Sequence, residues 1–263
     1  MIFRQSLRPE TGCASYLLGC VSKERCAVID PLPDLLEQYL GIAAGAGLRI
    51  THVIDTHVHA DHVSGARELA ERTGALLCLH EAAEVGFPFT PLRDGQCLKI
   101  GNDALEVLHT PGHTPESICL VAVDHTRGDA PWLVLTGDTL FVGDAGRPDL
   151  HGEGAARELA EQLYESLFDK LLKLPDWVEV YPGHFSGSVC GRGLSAKPSS
   201  TIGYERLFNP ALQPRSPAEF VAFMLAGLPP QPVDYESIRA LNRRGGSTAV
   251  ATMLERNSPV PSI

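Results

Sequence analysis

The chain has 263 residues, 44% hydrophobic and 21% charged, a soluble globular composition with length for one large domain or two small ones. Lys and Arg total 22 against 32 for Asp and Glu, a formal charge of -10 that argues against an electrostatic hold on nucleic acid and for a small-molecule substrate. No apolar run approaches the roughly 18 to 20 residues that span a bilayer, and Met1 to Ser6 lacks a basic-then-apolar leader, so neither membrane insertion nor secretion is expected and the location predicted is cytoplasmic.

In chain order, Tyr16 to Leu18 and Cys26 to Ile29 read as strands, followed by a helix from Asp34 to Ala46. Ile50 to Asp55 reads as a buried strand, Ser64 to Glu71 as a helix after a cap-rich turn, and Leu76 to Leu79 as a further strand. A second group comprises Leu105 to Leu108, Ile118 to Val123, Trp132 to Leu135 and Val178 to Tyr181, with a long helix from about Gly154 to Leu174. In that helix Leu159, Leu163, Leu167, Leu171 and Leu174 recur at helical spacing, and Pro175 stops the run. A short amphipathic helix is expected from Pro217 to Ala226, with an apolar face suited to a homodimer contact, and then a proline-rich connector from Leu228 to Val233. Two groups of strands with helices between them predict two packed sheets covered by helices, an α/β layered sandwich.

The seven cysteines, Cys13, Cys20, Cys26, Cys78, Cys97, Cys119 and Cys190, are irregularly spaced and include no CxxC pair. They predict buried thiols in a reducing compartment rather than a disulfide framework or a zinc ribbon. Cys190 reads as a buried, inert thiol rather than a sulfur carrier.

The segment Thr56-His57-Val58-His59-Ala60-Asp61-His62 places three imidazoles and a carboxylate on the loop leaving a strand, where open α/β sheets place their sites. Ordinary core or surface has little use for such a density of ligand types. His57 and His59, two apart in an extended loop, project to one side, and Asp61 and His62 diverge, so the loop suits one metal or two. Three further positions complete a coordination sphere: His113 in Thr110-Pro-Gly-His-Thr-Pro115, Asp138 in Leu135-Thr-Gly-Asp-Thr-Leu140, and His184 in Val180-Tyr-Pro-Gly-His184. Each follows an apolar run, and the glycine beside it lets backbone approach closely.

In HxHxDH, PGHT, TGDTLF and YPGH the chain resembles the metallo-β-lactamase superfamily, which implies an αββα sandwich with the site at the edge of two sheets. His59 departs from the HxExDH of members that reduce oxygen with paired irons and flavin. Met1 to Gln5, Asp30-Pro31, Phe141 to Leu150, Tyr181 to Gly191 and Ser200 to Pro210 are similar to bacterial persulfide dioxygenases, over nearly the whole chain. Some relatives carry a rhodanese domain, for which the tail here is too short. The resemblance implies a catalytic domain over 1–210 and, over 211–263, a C-terminal helical extension and tail packed on it.

By the same resemblance one Fe(II) would be held by His57, His113 and Asp138, leaving positions open for water, persulfide sulfur and oxygen, while His59, Asp61, His62 and His184 orient the ligands from behind. The implied reaction converts glutathione persulfide, or another low-molecular-weight persulfide, with O2 and water to sulfite and thiol. Arg147, Arg192, Lys197 and Tyr204 are candidates to meet the substrate; Arg147 alternatively pairs with Asp149 or Asp144. Phe185-Ser186 and Gly12-Cys13-Ala14-Ser15 depart from the smaller and more hydroxyl-rich residues of close relatives. The runner-up is a glyoxalase II-like thioester hydrolase with two Zn(II), one on His57, His59, His113 and Asp138 and one on Asp61, His62, Asp138 and His184. A non-catalytic sulfur-binding module is disfavoured by so complete a ligand set.

Overall fold

The computed structural model describes residues 1–188, 190–213, 216–231 and 234–245. The predicted tail beyond 245 and the end of the proline-rich connector, 232 and 233, lie outside the described residues. Two six-stranded sheets lie face to face. The first runs in the order β1 (Ile2–Arg8), β2 (Cys13–Cys20), β3 (Arg25–Ile29), β4 (Arg49–Ile54), β5 (Leu76–His80), β6 (Thr90–Leu92), antiparallel as far as β3 and parallel from there. The second has β7 (Cys97–Ile100), β8 (Asp103–His109), β9 (Ile118–Asp124), β10 (Leu133–Gly137), β11 (Glu179–Pro182) and β12 (Ser200–Thr201) side by side, parallel only between β10 and β11.

Strand side chains alternate between faces, and here both faces are covered. Leu18, Ala27, Ile29 and Ile54 point into the space between the sheets against Leu105, Val107, Leu120 and Leu135. Their neighbours Leu17, Val28 and Val53 point outward beneath α1 (Leu36–Gly45) and α2 (Ala66–Thr73). On the other side Val121, Val134 and Val180 meet α3 (Glu153–Glu165) and α5 (Pro217–Leu225). Burial on both faces explains why these strands read as continuous apolar runs.

Leu159, Leu163, Leu167 and Leu171 are all buried, as the leucine spacing predicts, but the α-helix loosens to a π turn over Ser166–Lys170 and tightens to a 3-10 turn over Leu171–Lys173. The apolar face of α5, expected as a dimer contact, is used within the chain: Phe220, Val221 and Met224 are buried in the same cluster as the leucines of α3. The sequence reading missed β1, β6, β7 and β12, the short α4 (Ile202–Phe208) and α6 (Tyr235–Arg244). The strands are short or lie at sheet edges with polar residues interleaved, and α6 is a polar helix with one buried residue, Asn242. Among the described residues no helix is long and apolar enough to cross a membrane.

Leu163 fills the space over Gly112, where an added Cβ would come within 2.4 Å of the leucine Cβ, so α3 presses directly on the His113 loop. Leu163→Ala should cost about 2–5 kcal/mol of unfolding free energy. Urea unfolding checks this, and a change below about 1 kcal/mol would show the contact to be slack.

Candidate metal centre

His57, His113, Asp138 and His184 each follow the last residues of a strand, β4, β8, β10 and β11 respectively, so their starting points are set by the two sheets. Gly183 is needed for close approach: an added Cβ there would lie 2.7 Å from Asp138 Oδ1.

The imidazole of His57 is oriented from behind. Thr56 Oγ1 donates to Asp30 Oδ2 at 2.9 Å, so it accepts from His57 Nδ1 at 3.0 Å. That leaves the lone pair on Nε2, which is buried and has no hydrogen-bond partner. Burial, together with His59 and His113 nearby, holds the His57 pKa well below the usual histidine value, so the ring is neutral. His113 donates from Nδ1 to the carbonyl of Arg147 at 2.9 Å, which likewise turns the Nε2 lone pair inward, 3.5 Å from Asp138 Oδ2. Asp138 Oδ2 is itself buried without a hydrogen-bond partner. Buried polar atoms left unpaired cost about 1–3 kcal/mol each, and here they share one point: ligand atoms of His57, His113 and Asp138 all lie within 4.8 Å of one another. This donor set fits a metal ion.

The other motif residues gather in two neighbouring groups. His184 donates to carboxylates from both nitrogens, to Asp138 Oδ1 and Asp61 Oδ2, each at 2.7 Å. Burial opposes a charge on this ring, but Asp138 and Asp61 raise its pKa well above the usual value. Asp61 also accepts from His62 Nδ1 at 3.0 Å, and Cys13 Sγ stands 3.7 Å from the same carboxylate. Burial would raise the Cys13 thiol, yet His184 and His62 bring it down to about 6. Cys13, Asp61, His62 and His184 thus form a second set within 4.8 Å. His59 packs against His57, with ring centroids 4.2 Å apart, but groups with Asp30 and Asp55, donating from Nε2 to Asp30 Oδ1 at 3.2 Å.

The substrate candidates fare differently. The Arg147 side chain is buried, forms a two-pronged pair with Asp149 at 2.7 and 2.8 Å, and also bonds the carbonyls of Pro229 and Pro230. Its guanidinium is engaged by the protein's own groups, and the Asp149 alternative is the one observed. Arg192 is tied to Asp144 and to the carbonyl of Phe223, with its guanidinium over the Phe223 ring. Lys197 is exposed, and exposed Tyr204 packs on Phe208. Cys190 is buried against Asp138 and His184, and burial pushes its thiol up to about 12. The Ser200–Pro210 stretch braces the site from outside: Glu205 accepts from the amide of Gly143, and Asn209 bonds the carbonyls of Phe141 and Asp144.

Four contributors carried no site signal in the sequence. Asp30 accepts the Thr56 amide as well as its hydroxyl, Glu116 accepts the Val58 amide at 3.0 Å, and Thr56 orients His57. Asn242 donates to the carbonyls of His59 and His62, both at 2.8 Å, and accepts from the amide of Ser64. Asp30 was named only with Pro31 in the likeness to persulfide dioxygenases, and Thr56 only as the first residue of the ligand segment; Asp30 holds a positive φ of 50°.

The motifs and their convergence at the ends of β4, β8, β10 and β11 agree with what the chain is similar to. The Metallo-beta-lactamase superfamily profile matches residues 8–184. The chain belongs to the metallo-β-lactamase superfamily. Within this superfamily it is 31% identical to the mitochondrial persulfide dioxygenase ETHE1 of Bos taurus over 240 residues, 89% of this chain and 85% of the relative. The crystal structure of ETHE1 from Myxococcus xanthus superposes with a TM-score of 0.80 at 33% identity, covering 94% of this chain and all of that one (100%). The chain is also similar to the hydroxyacylglutathione hydrolase of Polaromonas sp., 36% identical over 173 residues, 65% of this chain and 61% of the relative. The likeness to the Bos taurus dioxygenase thus covers more of both chains than the likeness to the Polaromonas hydrolase.

Thr56→Val keeps the shape of residue 56 but removes the acceptor for His57 Nδ1. Metal affinity, measured by chelator competition, should fall about 10- to 100-fold, and unfolding free energy by about 1–3 kcal/mol because Asp30 and His57 lose a buried partner. Unaltered affinity would show that Thr56 does not orient the ring.

Proposed function

We propose that the protein is a non-haem Fe(II) persulfide dioxygenase that oxidises glutathione persulfide, or another low-molecular-weight persulfide, with O2 and water to sulfite and thiol. The observation that carries this reading is the division of Asp138, whose Oδ1 is held by His184 while Oδ2 faces the lone pairs of His57 and His113. Two imidazoles and one carboxylate directed at one point are the facial set of non-haem iron oxygenases. The length and completeness of the likeness to persulfide dioxygenases support the same conclusion.

His57, His113 and Asp138 would hold ferrous iron, which would supply redox chemistry toward a soft persulfide sulfur and oxygen. The chain supplies geometry and exclusion of water. His57, His113 and Asp138 are each at most 2% exposed, so the reacting groups would meet away from bulk solvent. Asp30 through Thr56, and the Arg147 carbonyl, fix the two ring orientations. His184, between Asp138 and Asp61, holds one oxygen of the ligand carboxylate and balances its charge.

A second reading, a dinuclear zinc thioester hydrolase, is favoured by one specific feature: Asp61, His62 and His184 sit together and His62 Nε2 is buried without a partner. The likeness to the Polaromonas hydrolase points the same way. Metal content with activity separates the two. The dioxygenase should retain about one iron per chain and consume oxygen with glutathione persulfide, and Asp138→Ala should lose both properties. About two zinc ions per active chain, with hydrolysis of lactoylglutathione and no oxygen uptake, would replace it with the hydrolase.

A further inference from the structure

His109, the last residue of β8, precedes the His113 loop and is held at its amide, its carbonyl and its ring. The amide donates to Asp94 Oδ1 and the carbonyl accepts from Lys170 Nζ, both at 2.7 Å. The half-buried ring stacks on the buried imidazole of His80, which ends β5 in the other sheet, with centroids 3.8 Å apart and planes 12° from parallel. Its Nε2 faces the carbonyl of Pro115 at 2.8 Å, and because a carbonyl can only accept, the proton lies on Nε2 and the bond closes the base of the loop that carries His113. His80 is the fixed member of the pair: its Nδ1 accepts from the Ala82 amide at 3.2 Å. Burial, with the His109 ring beside it, lowers His80 to about 4, so it offers His109 a neutral aromatic face.

What His109 grips bears on both loops of candidate ligands. Glu116, next after Pro115, accepts the amide of Val58, which stands between His57 and His59. A shift of Pro115 therefore reaches the first loop as well as the second. The way into the His113 loop is held from another direction: Ser166 Oγ donates to the carbonyl of Pro111 at 2.7 Å while Lys170 bonds that of His109. Ser166 and Lys170 bound the π turn that follows α3, a rare form of helix that is frequent at functional sites. The helix thus fixes the entry to the loop, and the His109 ring fixes its exit. His80, His109, Ser166 and Lys170 are not candidate ligands, and the mechanism above gives them no part.

We propose that His109 is a positioning residue for the candidate metal centre: its bond to Pro115, backed by the stack on His80, places His113 and, through Glu116, the first ligand loop. The inference rests on the reading above only in taking the centre to hold a metal ion.

His109→Gln puts an amide N–H where Nε2 stands and can keep the bond, whereas His109→Leu keeps the bulk and loses it. In anaerobic chelator competition with Fe(II) as the probe, His109→Leu should hold the ion about tenfold more weakly, and His109→Gln should stay within about threefold of the unaltered chain. Hydrogen exchange without added metal should show the amides of Val58, Thr114, Glu116 and Ser117 opening about tenfold more often in His109→Leu, with the strands of both sheets unchanged. Equal losses in the two variants, exchange unaltered in His109→Leu, or acceleration spread evenly over both sheets would each overturn the proposal. Should His109→Leu not fold, His109→Asn, too short to reach Pro115, takes its place in both comparisons. Absent iron or oxygen uptake by the unaltered chain would remove the dioxygenase reading, while the exchange comparison, which needs no metal, still decides the role of His109.

Discussion

Asp138 offers its two oxygens to different neighbours, and the arrangement of the site depends on that division. Oδ1 is held by a histidine whose other nitrogen is bound to Asp61, and Oδ2 faces two imidazole lone pairs with no hydrogen bond of its own. A buried carboxylate oxygen beside the lone pair of a neutral His57 has nothing to receive from it, because neither carries a proton to share. A cation answers that arrangement, and the neighbouring histidine keeps the other oxygen from joining it.

Behind these candidate ligands lies a layer of groups with little chemistry of their own. Asp30 holds Thr56, which holds His57; the carbonyl of Arg147 holds His113; Glu116 and Asn242 hold the loop backbone between and after the histidines. Such outer partners set the tautomer and direction of a ligand. The same Arg147 that supplies a backbone acceptor to His113 uses its side chain to grip Asp149 and the carbonyls of Pro229 and Pro230. The C-terminal segment is thereby tied to the site at two places, through Arg147 and through Asn242.

The chemistry of the site is accordingly a property of both sheets and of the extension. β4 delivers the first loop from one sheet, while β8, β10 and β11 deliver His113, Asp138 and His184 from the other. Helix α3 presses Leu163 over Gly112, and the stretch from Ser200 to Pro210 braces the backbone on either side of Asp144. A long family likeness over segments with no candidate ligand in them has a physical basis here: those segments hold the loops that carry the candidate ligands.

Much of this was legible in the residues themselves. The doubly covered strands gave continuous apolar runs, α3 gave a leucine every four residues, and the four ligand motifs each stood at the end of such a run, because local period and local turn chemistry are written locally. Edge strands with polar residues and the polar helix α6 left no such trace. Nor could residue order show which oxygen of Asp138 is spent, that His59 turns toward Asp30, that Arg147 and Arg192 are already paired, or that Asn242 reaches a loop 180 residues away. The sequence alone determined which donor types are present and which strand ends carry them; the tertiary structure decided which of them converge, because side-chain direction and partner choice depend on groups brought together only by packing the two sheets and the extension.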